Sequence, residues 1–157
     1  MNFLRQQGFV NPKRVVVVGI GQGGTLTLSA VERGIIEQQA KNKFRAAVAF
    51  YPFCGASKGI LTIPTMILVG ERDTWAPADA CRKLAEGHDD MGISRQKGDG
   101  AAVRLTVLPD AYHGFDLRFY QTPSLIAGHR HEFNELAADK SSIALREFLH
   151  SMFEERP

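Results

Sequence analysis

"VVVVGIGQGGT", Val15 to Thr25, reads as a β-branched strand that runs through glycines into a helix. Val15 to Val18 shows no alternation of apolar and polar residues, the pattern of a strand covered on both faces in a parallel sheet. Two chemistries use such a strand, turn and helix. Gly19, Gly21 and Gly24 satisfy G-x-G-x-x-G, a dinucleotide cradle in which backbone N–H groups at a helix start hold a pyrophosphate. The same letters fit a nucleophile elbow, G-x-S-x-G-G, with Gly21 standing where the nucleophilic serine or cysteine belongs. A nucleotide site expects an acid about 20 residues further on. Gln39, Ala40 and Lys41 lie there, and the next strand ends "FYPF", without a carboxylate. The elbow is therefore the leading reading, with the dinucleotide cradle and a plain tight turn as alternatives.

Outward from this stretch, Asn11 and Pro12 make the preceding turn, and Leu26, Leu28, Ala30, Val31, Ile35 and Ile36 mark a following helix interrupted by Gly34. "RAAVAFYPF" (45–53) is a second buried strand closed by Pro52, and "PTMILVG" (64–70) is a third, closed by Gly70. "PADACRKLAEG" (77–87) has proline at its start and glycine at its end, as a helix does. The polar "GHDDMGISRQKGDGAA" (87–102) reads as a surface excursion, "VRLTVLP" (103–109) as a fourth strand, and Ala138–Phe153 as the last helix. Strands separated by helices or long connections predict an α/β fold, a mainly parallel sheet with flanking helices and right-handed crossovers.

In such sheets ligands and catalytic groups gather beyond the carboxyl ends of the strands. Gly21 follows the first strand, Asp73 in "GERDTWAP" the third, and His113 in "PDAYHGFD" the fourth. Elbow, acid and histidine in that chain order is the α/β-hydrolase arrangement, in which the histidine accepts the nucleophile's proton and the carboxylate fixes its tautomer. Each residue has a plainer use: Asp73 as a helix-capping or turn residue, His113 as a structural histidine, Asp116 as a turn or loop-stabilising carboxylate. Trp75 and Phe115 are candidates to line a substrate pocket, or to pack. Cys54, after the second strand, is a weak alternative nucleophile, since it lies on no elbow and nothing beside it in sequence lowers its pKa. "HRHEF" supplies His129, His131 and Glu132 but no further ligand, so no metal site is expected and a solvated polar face is.

The chain has 157 residues, 44% hydrophobic and 23% charged, long enough to bury roughly 70% of its unfolded surface as one domain. Nineteen basic against 17 acidic residues leave a net charge of +2 without a basic run, which argues against a nucleic-acid partner. No apolar stretch approaches the ~18–20 residues of a membrane span. "MNFLRQQGFVNPKR" carries no signal-peptide pattern, so the default compartment is the cytoplasm. Cys54 and Cys81 lack C-x-x-C spacing and read as two reduced packing thiols.

"RVVVVGIGQGG", "FRAAVAFYPFCG", "IPTMILVGERDTWAPADACRKL" and "VLPDAYHGFD" together resemble the dienelactone hydrolase family of α/β hydrolases. The resemblance runs from about Arg14 to the last helix and corresponds to the C-terminal part of the family fold. One truncated domain, 1–157, is the expectation, with several strands and a loop of the family absent in front. The resemblance implies hydrolysis of small esters or lactones through a serine or cysteine acyl-enzyme, without metal or organic cofactor. Gly21 departs from it, because a hydrogen side chain cannot attack a carbonyl. Glycine would keep the elbow's strained shape and lose its chemistry. The family's front loop supplies one oxyanion N–H, leaving the Gln22 N–H as the donor expected here; losing one such donor costs about 10²–10³ in turnover. The first strand becomes an edge, which invites a homodimer through it. The functional expectations are thus an ester or lactone hydrolase inactivated at Gly21, or a non-catalytic binding or assembly module.

Overall fold

The computed structural model describes residues 2–57, 59–87 and 100–154, so most of the excursion expected at 87–102 lies outside the described residues. A short helix α1 (Asn2–Arg5) and a turn at Pro12–Arg14, capped by the Asn11 side chain, lead into the sheet. Its four strands, β1 (Val16–Ile20), β2 (Ala46–Phe50), β3 (Thr65–Gly70) and β4 (Val103–Leu108), lie in the order β1-β2-β3-β4 and are all parallel. The register sets Val18 beside Val48, Val48 beside Met66, and Met66 beside Arg104.

Helices cover both faces. On one, α2 (Gln22–Val31) and α4 (Ala78–Glu86) bury Leu28, Val31, Cys81 and Leu84 against Ala47, Ala49, Ile67 and Val69. On the other, α5 (Glu135–Phe153) lays Ala137 and Phe148 over Val48, Phe50, Met66 and Leu68. Every residue of β2 and β3 is buried, which accounts for their unbroken apolar runs. Among the described residues β1 pairs with β2 alone, and Val18 and Ile20 are each 50% exposed.

Several boundaries differ from the sequence reading. The helix after the glycines stops at Val31, and a separate α3 (Ile35–Gln39) follows. Between them the chain turns to pair with the segment before β3: Thr62 N–H donates to the Val31 carbonyl and Arg33 N–H to that of Ile60. Tertiary hydrogen bonds thus replace the helical ladder. Helix α5 begins at Glu135 rather than Ala138, because the Asn134 side chain caps it by accepting from Ala137 N–H at 3.0 Å. "HRHEF" falls in neither a helix nor a solvated face: β5 (Ser124–Ile126) and β6 (His129–His131) form an antiparallel hairpin, and His131 is buried.

The cysteines also correct the reading. Cys54, in a 3₁₀ turn after β2, and Cys81, on α4, form a buried disulfide with Cα atoms 5.0 Å apart. They are 27 residues apart in sequence, so it is the packing of α4 beside the end of β2, and no local motif, that brings them together. No free thiol remains among the described residues, which removes Cys54 as a nucleophile.

Candidate active site

Gly21 ends β1 and caps α2 with φ 56° and ψ −120°, a conformation glycine adopts at low cost and other residues rarely. The turn is tight: a side chain at Gly19 would collide with the Gly23 carbonyl and the Thr27 hydroxyl, both on α2. Gly21 N–H is tied to the Phe50 carbonyl at 3.0 Å, which locks the turn to the end of β2. The next N–H, that of Gln22, opens α2 and has no intrahelical partner by geometry.

Asp73 follows β3 and is buried. Its Oδ1 accepts from the Trp75 and Ala76 N–H groups, each at 2.8 Å, and its Oδ2 lies 2.7 Å from His113 Nδ1. Asp73 does not cap α4, whose N-cap is Pro77; it is a turn residue on one oxygen and the partner of His113 on the other. A carboxylate can only accept, so Nδ1 carries the proton and Nε2 is left with its lone pair. His113 follows β4 with its side chain 12% exposed, between the ring of Tyr51 (4.5 Å between centroids) and that of Trp75 (5.9 Å).

The three strand ends converge. A Cβ built on Gly21 would stand 3.8 Å from His113 Nε2 and 3.7 Å from Tyr51 Cε2, both ordinary contacts. A hydroxyl on that carbon comes within hydrogen-bond reach of Nε2. Gly21, Gln22, Thr25, Tyr51, Phe53, Trp75 and His113 line one cavity of about 390 Å³. A depression of about 440 Å³ between Arg14 and α5 holds, among the described residues, the surface pair His150–Glu154 and no buried acid–histidine pair.

Trp75, 41% exposed, lines the cavity. Phe115 does not: it is fully buried, with its ring 5.3 Å from that of Tyr51 and 6.4 Å from that of Phe50, and belongs to the core beneath the site. Asp116 accepts from the Tyr51 hydroxyl at 2.8 Å, which ties its loop to the end of β2. Burial first, and then the Asp116 charge, push the Tyr51 phenol well above the ordinary tyrosine range. Two residues of the site escape the sequence reading. Tyr51, at φ 35°, forms the floor beside Gly21, and its signal was the aromatic directly after β2. His131 lies 4.9 Å from His113 between ring centroids and bridges to it from β6; its signal was the i, i+2 spacing of "HRH", which on a strand puts His129 and His131 on one side. Among the described residues no group of three or more His, Cys, Asp or Glu stands together as a metal site.

No curated protein matches the chain. Among solved structures it is similar to a dienelactone hydrolase from Klebsiella pneumoniae, described as putative, at 18% identity and a TM-score of 0.64, covering 94% of this chain and 56% of that one. It is similar to a thermophilic esterase from Thermogutta terrifontis, at 19% identity and a TM-score of 0.62, covering 94% of this chain and 58% of that one. The same esterase is known phosphorylated by paraoxon. An acylaminoacyl peptidase from Pyrococcus horikoshii aligns at 15% identity and a TM-score of 0.63, over 99% of this chain and 27% of that one. The chain thus spans little more than half the length of the first of these, and at such identities the likeness shows the fold, that of α/β hydrolases. The family model for the dienelactone hydrolase family matches residues 1–153, and the chain belongs to that family.

Proposed function

We propose that the chain carries a dienelactone-hydrolase-like site for small carboxylic esters or lactones in which the covalent route is closed. Asp73 and His113 hold the acid and base positions, the Gln22 N–H is the oxyanion donor, Trp75 lines the acyl pocket, and Gly21 stands at the nucleophile position. One observation carries this reading: the Cβ position of residue 21 is 3.8 Å from Nε2 of a histidine whose Nδ1 is held by a buried aspartate. The family mechanism needs an oxygen or sulfur there to form the acyl-enzyme.

The test is hydrolysis of a 4-nitrophenyl butyrate by Gly21→Ser and by Gly21→Ser/His113→Ala, each first shown folded by circular dichroism. Serine at φ 56° costs about 1–3 kcal/mol, so a lower melting temperature is expected, but not unfolding. Gly21→Ser gains turnover that His113→Ala removes, and takes a phosphoryl adduct from paraoxon that the wild type does not. A folded Gly21→Ser that neither turns over nor is phosphorylated overturns the reading.

The exposed edge of β1 favours a second reading, assembly with another copy of the chain, because Val18 and Ile20 are half exposed on a strand with one neighbour among the described residues. On compartment, the buried Cys54–Cys81 disulfide supports an oxidising one over the cytosol, where such bonds rarely persist. No described helix is long and apolar enough to cross a membrane.

A further inference from the structure

We infer that the Asp73–His113 pair acts directly on water, so that the wild-type chain hydrolyses activated esters with no covalent intermediate. This rests on the reading of Asp73 and His113 as acid and base, and its experiment separates the two. Nδ1 of His113 is engaged by Asp73 at 2.7 Å, which turns the basic Nε2 toward Gly21. A Cβ built on Gly21 would meet Nε2 at 3.8 Å and Tyr51 at 3.7 Å, both ordinary contacts, so no atom of the described residues fills the gap between the Gly21 Cα and Nε2, and a water hydrogen-bonded to Nε2 can stand in it, farther from the Cα than a side-chain carbon would be. That space opens into the cavity of about 390 Å³, so solvent and an acyl group can both reach it. Tyr51 and Trp75 flank the imidazole, so its direction is fixed before any substrate arrives. A serine there would tether the attacking oxygen; glycine leaves the space in front of Nε2 open to a free one.

The step balances without a protein nucleophile. The water oxygen bonds to the acyl carbon as its proton passes to His113 Nε2, and the carbonyl π pair moves onto the oxygen facing the Gln22 N–H. The tetrahedral intermediate then collapses, the bond to the alkoxy oxygen breaks, and the leaving alcohol takes the proton back from Nε2. Acid and alcohol are released, and no bond to the chain has formed. Esters with good leaving groups, such as aryl esters, suit this route, because attack by untethered water is its difficult half.

The experiment compares the full wild-type chain with Gly21→Ala, His113→Ala and His150→Ala on 4-nitrophenyl acetate, all verified folded. A positioned general base contributes about 10²–10⁴-fold. Wild type and His150→Ala, whose imidazole is on the surface, are expected to be equally active. His113→Ala loses about 100-fold. Gly21→Ala, whose methyl group intrudes on the space the water needs while leaving the acid–histidine pair intact, falls by a similar factor. Turnover shows no burst, no acetyl adduct appears by mass spectrometry, and added methanol is converted to methyl acetate in the wild type but not in His113→Ala. The inference is overturned if wild type is no faster than His113→Ala, or if Gly21→Ala matches wild type, or if an acetylated chain accumulates. Should Gly21→Ser then still gain His113-dependent turnover, this inference alone falls and the proposed site stands; should it too stay silent, both fall.

Discussion

Tyr51 leaves β2 with φ 35°, a value that costs a non-glycine residue about 1–3 kcal/mol, and its neighbours explain why it is held there. Its ring packs on His113 and Phe115, its N–H donates to the Leu68 carbonyl, and its hydroxyl donates to Asp116. Tyr51→Phe is expected to cost about 1.5–3 kcal/mol near neutral pH, since the lost hydrogen bond goes to a charged acceptor. Its pH dependence is distinctive. Burial and then Asp116 raise the folded-state pKa above the ordinary value of 10.0, so the unfolded chain loses the phenolic proton first as the solution becomes alkaline. Tyr51's stabilisation is therefore full below pH 10 and shrinks as pH rises above it. Urea titrations of wild type and Tyr51→Phe at pH 8 and above pH 10 should converge; a gap that stays constant argues against this. Asp73 and His113 were legible in the sequence because each follows a recognisable strand, and strand ends are where this architecture gathers its chemistry. Tyr51 follows a strand too, but an aromatic there reads as core, and its polar partner Asp116 lies 65 positions away in sequence. Phe115 was misread for the related reason that position next to His113 in sequence does not say which way a side chain points across a loop with Gly114 at φ 70°.

At the scale of elements, sequence pattern worked where one local force dominated. The β-branched and apolar runs of β1 to β3, the Pro77 start and the left-handed Gly87 end of α4 all fell where expected. It failed where a distant segment competed for the backbone, as at the break between α2 and α3, or where elements were too short to show a period, as in the three-residue strands β5 and β6. The disulfide is the sharpest case, because its two cysteines become neighbours only once α4 docks beside the turn after β2. Phe53, next to Cys54, lines the candidate site and donates its N–H to Thr25 Oγ1 at 2.9 Å, so the bond also pins one wall of the cavity. Cross-linking residues 27 apart is worth about 3–4 kcal/mol by restricting the unfolded chain. Cys54→Ser/Cys81→Ser is expected to melt roughly 6–16 °C below wild type, the range that this energy gives for a chain of this size. Equal melting temperatures, measured without reductant, would show that the bond contributes nothing to stability.

For the whole molecule the question is what covers the side of β1 that no other strand of the described residues pairs with. Hydrogen bonds from Arg45 N–H to Val15 and from Gly21 N–H to Phe50 show that odd-numbered residues turn their backbone toward β2. By alternation Val16, Val18 and Ile20 turn theirs outward. A second copy related by a two-fold axis through Val18 would pair β1 antiparallel with itself, setting Val16 opposite Ile20 and joining two four-stranded sheets into one. The strand suits this, being wholly apolar and lacking the charge, proline or bulge that usually guards an edge. Five residues a side is a small contact, and stable interfaces bury about 1,200–2,000 Å². The dimer expected is accordingly concentration-dependent. Light scattering coupled to size-exclusion chromatography should show mass rising toward twice the chain as loading increases, and Val18→Lys, which sets two charges face to face on the axis, should hold the chain monomeric. Val18→Cys, conversely, should yield an oxidised cross-linked dimer more readily than a cysteine placed at the exposed Leu26, away from the axis. Monomer at every concentration, with no preference for cross-linking at Val18, would remove self-assembly as a function of this edge. The hydrolytic readings of the Asp73–His113 site would be untouched, because that site lies past the carboxyl ends of the strands, while the two-fold contact runs along the side of one.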